Sequence, residues 1–212
     1  MTVRTIEDRL REEYFDLLPE IRRVAEHLEA EVRYHVLPVS DRLDRFEKLV
    51  VSSRVKECES ALDSLRRRGY RQEGATFDPD RAGEYTLTSL KDLAGVRVLA
   101  FPSRRREETD AALRSVFPSW TADPVLGEGG ERLAFKYWGY CPTSRIIRGE
   151  YQILSVLTGL FWEIEHSAIY KPSLELRGVG RALGMPARTK AILDAFSAFE
   201  EEFERVVSQQ AG

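Results

Sequence analysis

The feature that most constrains the fold of this chain is a change in the spacing of its apolar residues. Across residues 5–35 they recur every three or four positions with charges between them, which predicts an amphipathic helix, broken near Pro19. Across residues 95–156 short β-branched and alternating runs appear instead, which predicts strands. A chain that is helical first and β-rich afterwards is typical of an α+β fold.

Other segments fill in this outline. The spacing and end signals predict helices over 42–51, 54–68, 103–117, 157–170 and 185–207, and strands over 95–101, 132–138 and 145–156. Residues 71–84, rich in Gly, Pro and Asp, read as a surface loop. We therefore expect a mixed sheet of about five strands flanked by helices, with long helices at both ends of the chain.

The size of the chain suits one compact domain. With 212 residues, 42% of them hydrophobic, it can bury a single core. Within that domain we expect an N-terminal helical region (1–52), a central core (53–172) and a C-terminal helical region (173–212). The apolar faces of the terminal helices need partners, which either the same chain or a second copy would supply, so the oligomeric state stays open.

Composition excludes several classes of protein. A net charge of −3 argues against a protein that coats nucleic acid through a global positive field, although it leaves room for a local basic pocket. No run approaches the roughly 18 apolar residues of a membrane span. Cys58 and Cys141 lie in unrelated contexts, which gives no support to a disulfide framework or a zinc site. A cytoplasmic location fits these features best.

Two acids are candidates for chemistry. Asp92 stands where a short helix gives way to the strand beginning at Gly95, and Glu150 lies inside a later strand. If those strands are neighbours, both carboxylates reach one cleft, and hard oxygen ligands of this kind suit Mg²⁺ that handles phosphates. From spacing alone, however, acids at such junctions are more often capping or solvated residues.

Four segments, 53–69, 91–98, 136–140 and 150–171, resemble in order and spacing the RelA/SpoT synthetase domain of the alarmone synthetases, a nucleotidyltransferase-like fold. The residues that match the family's motifs are Arg54, Lys56, Ser60, Asp92, Leu93, Gly95, Arg97, Lys136, Gly139, Tyr140, Glu150, Gln152, Ile153, Glu165, His166, Tyr170 and Lys171.

The resemblance implies an activity and a set of roles. Such enzymes move the pyrophosphate of ATP onto the ribose 3′-hydroxyl of GDP or GTP. Asp92 and Glu150 would be the catalytic pair and the Mg²⁺ ligands, with Glu150 also accepting the proton of the attacking hydroxyl. The donor nucleotide would be bound by Arg54, Lys56 and Ser60, the first two at a helix start, and the acceptor nucleotide by Lys136, Tyr140 and Gln152. His166 is expected to be structural.

The chain also departs from the family pattern. Ser64 and Ser144 stand where the family has a lysine and a histidine, and Leu154 and Ser155 stand where it has Arg-Thr. Trp138 replaces an asparagine. Each lost charge-assisted contact to phosphate costs about 1.5 to 3 kcal/mol, so ATP use depends on substitutes, for which the candidates are Arg66, Arg145 and Arg148.

Three hypotheses follow. The first is a small alarmone synthetase with no hydrolase domain. The second is a toxin-like relative that transfers pyrophosphate to the 3′ end of tRNA. The third is a non-catalytic nucleotide-binding or regulatory protein that kept the fold and lost the donor site. The arginine runs 66–68 and 104–106 read most simply as solvated helix ends, with adenine stacking as the alternative for the second run.

Overall fold

The computed structural model describes residues 4–69, 76–127, 130–165 and 184–210. In these ranges the elements follow in the order α1 (Ile6–Ser40), β1 (Lys48–Val55), α2 (Cys58–Gly69), β2 (Ala94–Phe101), α3 (Ser103–Val116), β3 (Thr121–Ala122), β4 (Val125–Leu126), β5 (Arg132–Tyr140), β6 (Arg148–Ser155), α4 (Val156–Glu165) and α5 (Met185–Gln210). Two short 3-10 helices, Pro79–Glu84 and Leu87–Ser89, precede β2.

The first helix is longer than the sequence predicts. It begins with a capping box, in which Thr5 and Asp8 exchange side-chain to backbone hydrogen bonds. The predicted break at Pro19 is wrong, because α1 continues through Pro19 and Pro38 to Ser40. Its buried stripe, which includes Ile21, packs on the sheet, and this packing holds the helix together across the missing backbone N–H of each proline.

The predicted helix over 42–51 is also wrong. After α1 the chain turns and enters β1, whose eight residues pair antiparallel with β2 from Lys48↔Phe101 to Val55↔Ala94. The β-branched run at Val50 and Val51 suits a strand, and pairing with a buried neighbour decides the matter. Helix α2 consequently starts at Cys58 rather than at position 54. The division of the chain at 52/53 stays a prediction, although β1 crosses that point.

The centre of the fold is a six-stranded mixed sheet with the order β1-β2-β6-β5-β3, in which β4 also pairs with β5. The neighbours β2 and β6 are parallel, and their register sets Gly95 opposite Glu150. The β5–β6 pair is antiparallel, with Trp138 opposite Glu150 and Lys136 opposite Gln152. This is the α+β architecture with long terminal helices that the sequence predicts, with one strand more than expected.

The two faces of the sheet have different roles. One face packs against α1 and forms the main core, in which Val96, Val98 and Ile153 are buried. On the other face a small apolar cluster of Leu99, Ala134 and Leu154 meets Trp162 of α4. Successive side chains of a strand point to opposite faces. The residues that alternate with the core positions therefore point to the second face, where they form a polar region beside the apolar cluster. We call this region the polar half-face.

The other predicted elements agree with the structure in kind. The strands over 95–101 and 132–138 and the helix over 103–117 correspond to β2, β5 and α3, and the last strand starts at Arg148. The predicted helix over 157–170 is α4 as far as Glu165, and 166–170 lie outside the described residues, as does part of the predicted loop, 71–75. Among the described helices, none combines the length and apolar character that crossing a membrane requires.

Candidate functional site

Glu150 lies at the centre of the polar half-face. Its carboxylate is buried, with the side chain only 3% exposed. Oε1 accepts hydrogen bonds from Arg54 Nη2 at 3.1 Å and from Gln152 Nε2 at 2.8 Å. Oε2 lies 3.6 Å from Lys136 Nζ. Strands β1, β5 and β6 thus bring four of the sequence-predicted site residues into one contact group.

Arg54 reaches Glu150 by crossing β2 at a glycine. Arg54, Gly95 and Glu150 are successive partners across β1, β2 and β6. A Cβ on Gly95 would lie 3.2 Å from Arg54 Nε and 3.4 Å from its Cγ. The absence of a side chain at this position is therefore what lets the arginine lie flat over the strand. The expectation that Arg54 and Lys56 begin a helix is wrong: Arg54 is the last but one residue of β1, and Lys56 lies in the connection to α2.

Asp92 forms a second pair beside the first. Lys56 Nζ lies 2.5 Å from Asp92 Oδ2, and the backbone N–H of Lys56 donates to the carbonyl oxygen of Leu93 at 2.9 Å. Asp92 precedes β2 by two residues, and Glu150 is the third residue of β6, the parallel neighbour of β2. Both acids therefore lie at the same end of this strand pair, as the sequence predicts for adjacent strands.

An aromatic and cationic group borders the acids. Trp138, opposite Glu150 in the β5–β6 register, has Lys91 Nζ 4.1 Å from its ring centre and the Arg148 guanidinium 5.5 Å from it. Arg148 also lies 5.4 Å from the centre of the half-exposed Tyr140 ring and donates to its hydroxyl at 3.2 Å. Tyr140 thus presents an accessible aromatic surface two residues from Trp138 on the same side of β5.

Ser60 is placed apart from the contact group. It lies in the first turns of α2, where its carbonyl accepts a hydrogen bond from the Ser64 hydroxyl at 2.9 Å. The Ser64 hydroxyl therefore makes its hydrogen bond within its own helix. Among the other departures, Leu154 is fully buried in the small apolar cluster. Ser144 is buried beneath the β5–β6 turn, where its Oγ accepts from the N–H groups of Ile146 and Ile147.

The proposed substitutes for the missing cations differ in availability. Arg66 is engaged by Asp63 at 2.5 Å and by Glu7 at 2.8 Å. Arg148 faces the polar half-face, as described above. The second arginine run is also committed to the fold, because Arg104 and Arg105 both bind the buried Glu47 and Arg106 donates to Ser103. These contacts leave the Arg104 side chain 40% exposed and bury that of Arg105, so Arg105 offers no free face for adenine stacking.

Burial raises the pKa of the Glu150 carboxyl above its ordinary value, and nearby Asp92 adds to that effect, while Lys136 and Arg54 oppose it. Its environment therefore favours proton uptake more than water does, as suits a general base. Within the described residues no group of three or more His, Cys, Asp or Glu side chains is arranged to hold a metal ion. Two carboxylates facing one cleft nevertheless fit Mg²⁺, which keeps open positions for water and phosphate oxygens.

Sequence reasoning gave no role to Arg97, Lys91 or Asp123, which complete the half-face. Arg97 is opposite Gln152 in the register and pairs with Glu163 at 2.8 Å. Asp123 lies 3.3 Å from Lys136 Nζ. Arg97 could have been found, because it occupies the arginine position of the matched Asp-Leu-x-Gly-x-Arg motif. Nothing in the local sequence marks Lys91 or Asp123, since both depend on the pairing of distant segments.

Comparisons with known proteins find likeness in structure. No protein-family model matches the sequence, and a comparison with curated proteins gives no match. Among solved structures, the small alarmone synthetase 1 of Bacillus subtilis is similar with a TM-score of 0.64 and 18% sequence identity, over 94% of this chain and 98% of that one. The same enzyme bound to its product pppGpp is similar over 95% of this chain and 100% of that one, with a TM-score of 0.64 and 18% identity.

A GTP pyrophosphokinase family protein from Streptococcus pneumoniae is similar with a TM-score of 0.58 and 16% identity, over 93% of this chain and 94% of that one. Identities this low carry the fold alone. The chain therefore has the fold of the small alarmone synthetases.

Proposed function

We propose that this protein is a pyrophosphokinase that transfers the pyrophosphate of ATP to the 3′-hydroxyl of GDP or GTP. The observation that carries the proposal is the buried Glu150 carboxylate, contacted by Arg54, Gln152 and Lys136 and flanked by the Asp92–Lys56 pair. Pyrophosphate transfer depends mainly on positioning and on neutralising phosphate charge, and this half-face supplies cations around two acids.

The reaction joins the ribose 3′-oxygen to the β-phosphorus of ATP and breaks the bond between that phosphorus and the oxygen bridging it to the α-phosphate, so AMP leaves. Glu150 receives the proton of the attacking hydroxyl, because the hydrogen bond from Gln152 holds its buried carboxylate in a fixed position. Asp92 and Glu150 would hold Mg²⁺, which neutralises charge on the transferred phosphates when bound. Arg54 and Lys56, which lie beside the two carboxylates, would bind the donor triphosphate.

The acceptor nucleotide would bind on the side of Glu150 where Tyr140 and Lys136 lie. The exposed Tyr140 ring offers a stacking surface for the base. Lys136 binds acceptor phosphate. Its Nζ lies 3.6 Å from Oε2 of Glu150, the carboxylate that accepts the proton. Ser60 and Gln152 complete the donor and acceptor sites in this proposal, with Gln152 orienting Glu150 through its hydrogen bond.

The test is transfer of label from γ-labelled ATP to GDP, GTP, GMP or deacylated tRNA in the presence of Mg²⁺. We expect transfer to GDP or GTP and a loss of about 100-fold or more in Asp92→Asn and Glu150→Gln. Glu202→Gln, which alters an exposed carboxylate on α5, is the matched control. Transfer that persists in both site variants would contradict the two-carboxylate mechanism, and transfer to tRNA alone would favour the toxin-like alternative.

A non-catalytic nucleotide-binding protein is the second candidate, and one observation favours it. Ser64, Ser144 and Leu154 are all engaged in internal contacts, so none of these positions supplies a cation or a titratable group to a bound nucleotide. Nucleotide binding measured by calorimetry without any transfer of label would support this candidate over the enzyme.

A further inference from the structure

A pocket of about 620 Å³ lies between α3, the short strands β3 and β4, and β5. Its lining includes Phe135 and Tyr137, whose side chains alternate along β5 with Lys136 and Trp138 of the candidate site. Lys136 also contributes to the lining. The proposed reaction uses none of the other residues that surround this space, which therefore needs its own account.

The aromatic side of the pocket is held rigid from behind. Tyr151 is fully buried, and its ring centre lies 4.9 Å from Tyr137 and 5.5 Å from both Phe117 and Trp120. Trp120 also lies against Gly139, where a Cβ would come within 2.6 Å of its ring. Because these rings are fixed by one another, the aromatic surface is already formed before any ligand arrives.

Two guanidinium groups stand at the same pocket. Arg132 lies over the Phe135 ring at 4.7 Å, and in the described ranges no carboxylate forms an ion pair with it. The Arg114 side chain is 66% exposed, and its ion pair with Asp110 Oδ2 is long at 3.9 Å. A guanidinium group binds phosphate through paired hydrogen bonds, so these two side chains form a candidate phosphate site.

The lining residue Tyr137 is held in place by Asp110, which stands behind the pocket wall. Asp110 is 7% exposed, and its Oδ1 accepts a hydrogen bond from the Tyr137 hydroxyl at 2.7 Å. This bond fixes Tyr137 with its ring against the cavity. The Asp110 carboxylate interacts electrostatically with both Arg114 and Arg132, and its single negative charge balances one of their two positive charges.

We infer that this pocket binds an aromatic phosphate, with the ligand's ring against Trp120, Phe117 and Tyr137 and its phosphate between Arg114 and Arg132. A plain anion would leave the aromatic surface uncovered, and a neutral ring would leave part of the positive charge of the two arginines unbalanced. The volume accommodates a one- or two-ring ligand with its phosphate. The inference does not depend on the proposed reaction.

The experiment uses phenyl phosphate as the probe, with phenol and inorganic phosphate as the two half-ligands. Trp120 is one of three tryptophans in the chain, so Trp138→Phe together with Trp162→Phe leaves it as the reporter of fluorescence. We expect a saturable change with a Kd on the order of 1 mM for phenyl phosphate. We expect at least about tenfold weaker binding of either half-ligand.

Variants of the pocket locate the site. Arg114→Ala and Arg132→Ala should each weaken phenyl phosphate binding about tenfold or more, whereas Arg205→Ala, on the exposed surface of α5, should leave it unchanged. Ala111→Phe keeps both arginines but places a ring in the pocket, and it should abolish binding. Calorimetry on the chain with all three tryptophans repeats these comparisons without the reporter substitutions.

Equal affinity in the Arg114, Arg132 and Arg205 variants would overturn the inference, as would a response to phosphate alone that matches the response to phenyl phosphate. Absence of saturable binding in both fluorescence and calorimetry would overturn it as well. Because no transfer is measured, failure here is distinct from failure of the proposed pyrophosphokinase activity.

Discussion

Gly95 shows how a single residue can control the candidate site without any functional group. It separates Arg54 on β1 from Glu150 on β6, and all three share one line across the sheet. The arginine occupies the space that a side chain on Gly95 would fill. The glycine of the Asp-Leu-x-Gly-x-Arg motif is thus explained by the close approach of the Arg54 side chain rather than by a turn.

We predict that Gly95→Ala displaces Arg54 from Glu150 and lowers pyrophosphate transfer about 10- to 100-fold, because small errors in position are costly in such reactions. The clashing atoms belong to a flexible side chain, so the melting temperature should change little. Steady-state transfer assays and thermal unfolding measure the two effects. Gly83→Ala is the control, since a Cβ there meets nothing within 4 Å, and equal losses in both variants would contradict the explanation.

At the scale of single elements, α1 runs for 35 residues through an exposed proline. Pro19 cannot donate the backbone hydrogen bond that an interior helical position normally makes. A local rule therefore predicts a break, whereas the buried stripe on the opposite side of the helix keeps it continuous.

Pro19→Ala should therefore stabilise the protein. The helix gains a backbone hydrogen bond and loses a steric conflict worth about 3 kcal/mol, offset by about 1 kcal/mol from a more flexible unfolded chain. We expect the free energy of unfolding in urea to rise by about 2 kcal/mol. Pro79→Ala provides the comparison, because that proline opens a 3-10 helix where no N–H is needed, and it should give no gain.

A buried ion pair joins the segment after α1 to α3. Glu47, with a side chain that is fully buried, accepts from Arg105 Nε at 2.9 Å and lies 2.5 Å from Arg104 Nη2. Burial alone would raise the pKa of Glu47, but hydrogen bonds from Arg105, the Asp44 N–H and Arg104 outweigh burial and lower that pKa. The pair therefore ties two elements together as long as the carboxylate is ionised.

Glu47→Gln should destabilise the protein by about 3 kcal/mol near neutral pH, because the buried Arg105 loses its ion pair with Glu47 and keeps the one with the more exposed Glu108. A lowered pKa stabilises the folded state above the ordinary glutamate value of 4.5, and this contribution is lost as the pH falls through the folded pKa. The difference in the free energy of unfolding between the unchanged protein and Glu47→Gln should thus become smaller below about pH 4.5. Urea unfolding at several pH values measures it.

The exposed pair of Glu84 with Arg81 supplies the contrast. Glu84→Gln should leave the free energy of unfolding nearly unchanged, as is usual for solvated ion pairs. A loss in Glu47→Gln that is no larger than the loss in Glu84→Gln would contradict the structural role assigned to Glu47.

At the scale of the whole molecule, the sheet separates stability from chemistry. Ile153 is fully buried in the core on the α1 side. Its neighbour Gln152 points to the opposite face and donates to Glu150. One strand therefore serves the core and the candidate site with alternate residues.

Adjacent alanine substitutions should separate these two roles. Ile153→Ala should cost about 2 to 5 kcal/mol of folding free energy through lost burial and a cavity, with transfer retained while the protein is folded. Gln152→Ala should leave the free energy of unfolding within about 1 kcal/mol while lowering transfer. Urea unfolding and the transfer assay on both variants test this, and a large stability loss in Gln152→Ala would contradict the separation.

The sequence alone determined the elements whose signals are local. The strands β2, β5 and β6 and the helix α3 follow from apolar spacing, and the order of the motifs around Asp92 and Glu150 led to the alarmone synthetase fold. The wrong predictions, a broken α1 and a helix in place of β1, concern segments where partners far along the chain outweigh local preference.

Only the tertiary structure decided which residues meet. Arg54 contacts Glu150, 96 positions away, because β1, β2 and β6 align them and Gly95 leaves the space open. It also decided that Ser64, Ser144 and Leu154 are engaged in contacts within the protein and that Lys91 and Arg148 both lie over the Trp138 ring. The physical reason is that periodicity specifies which face a side chain occupies, whereas distances between side chains depend on strand order and register.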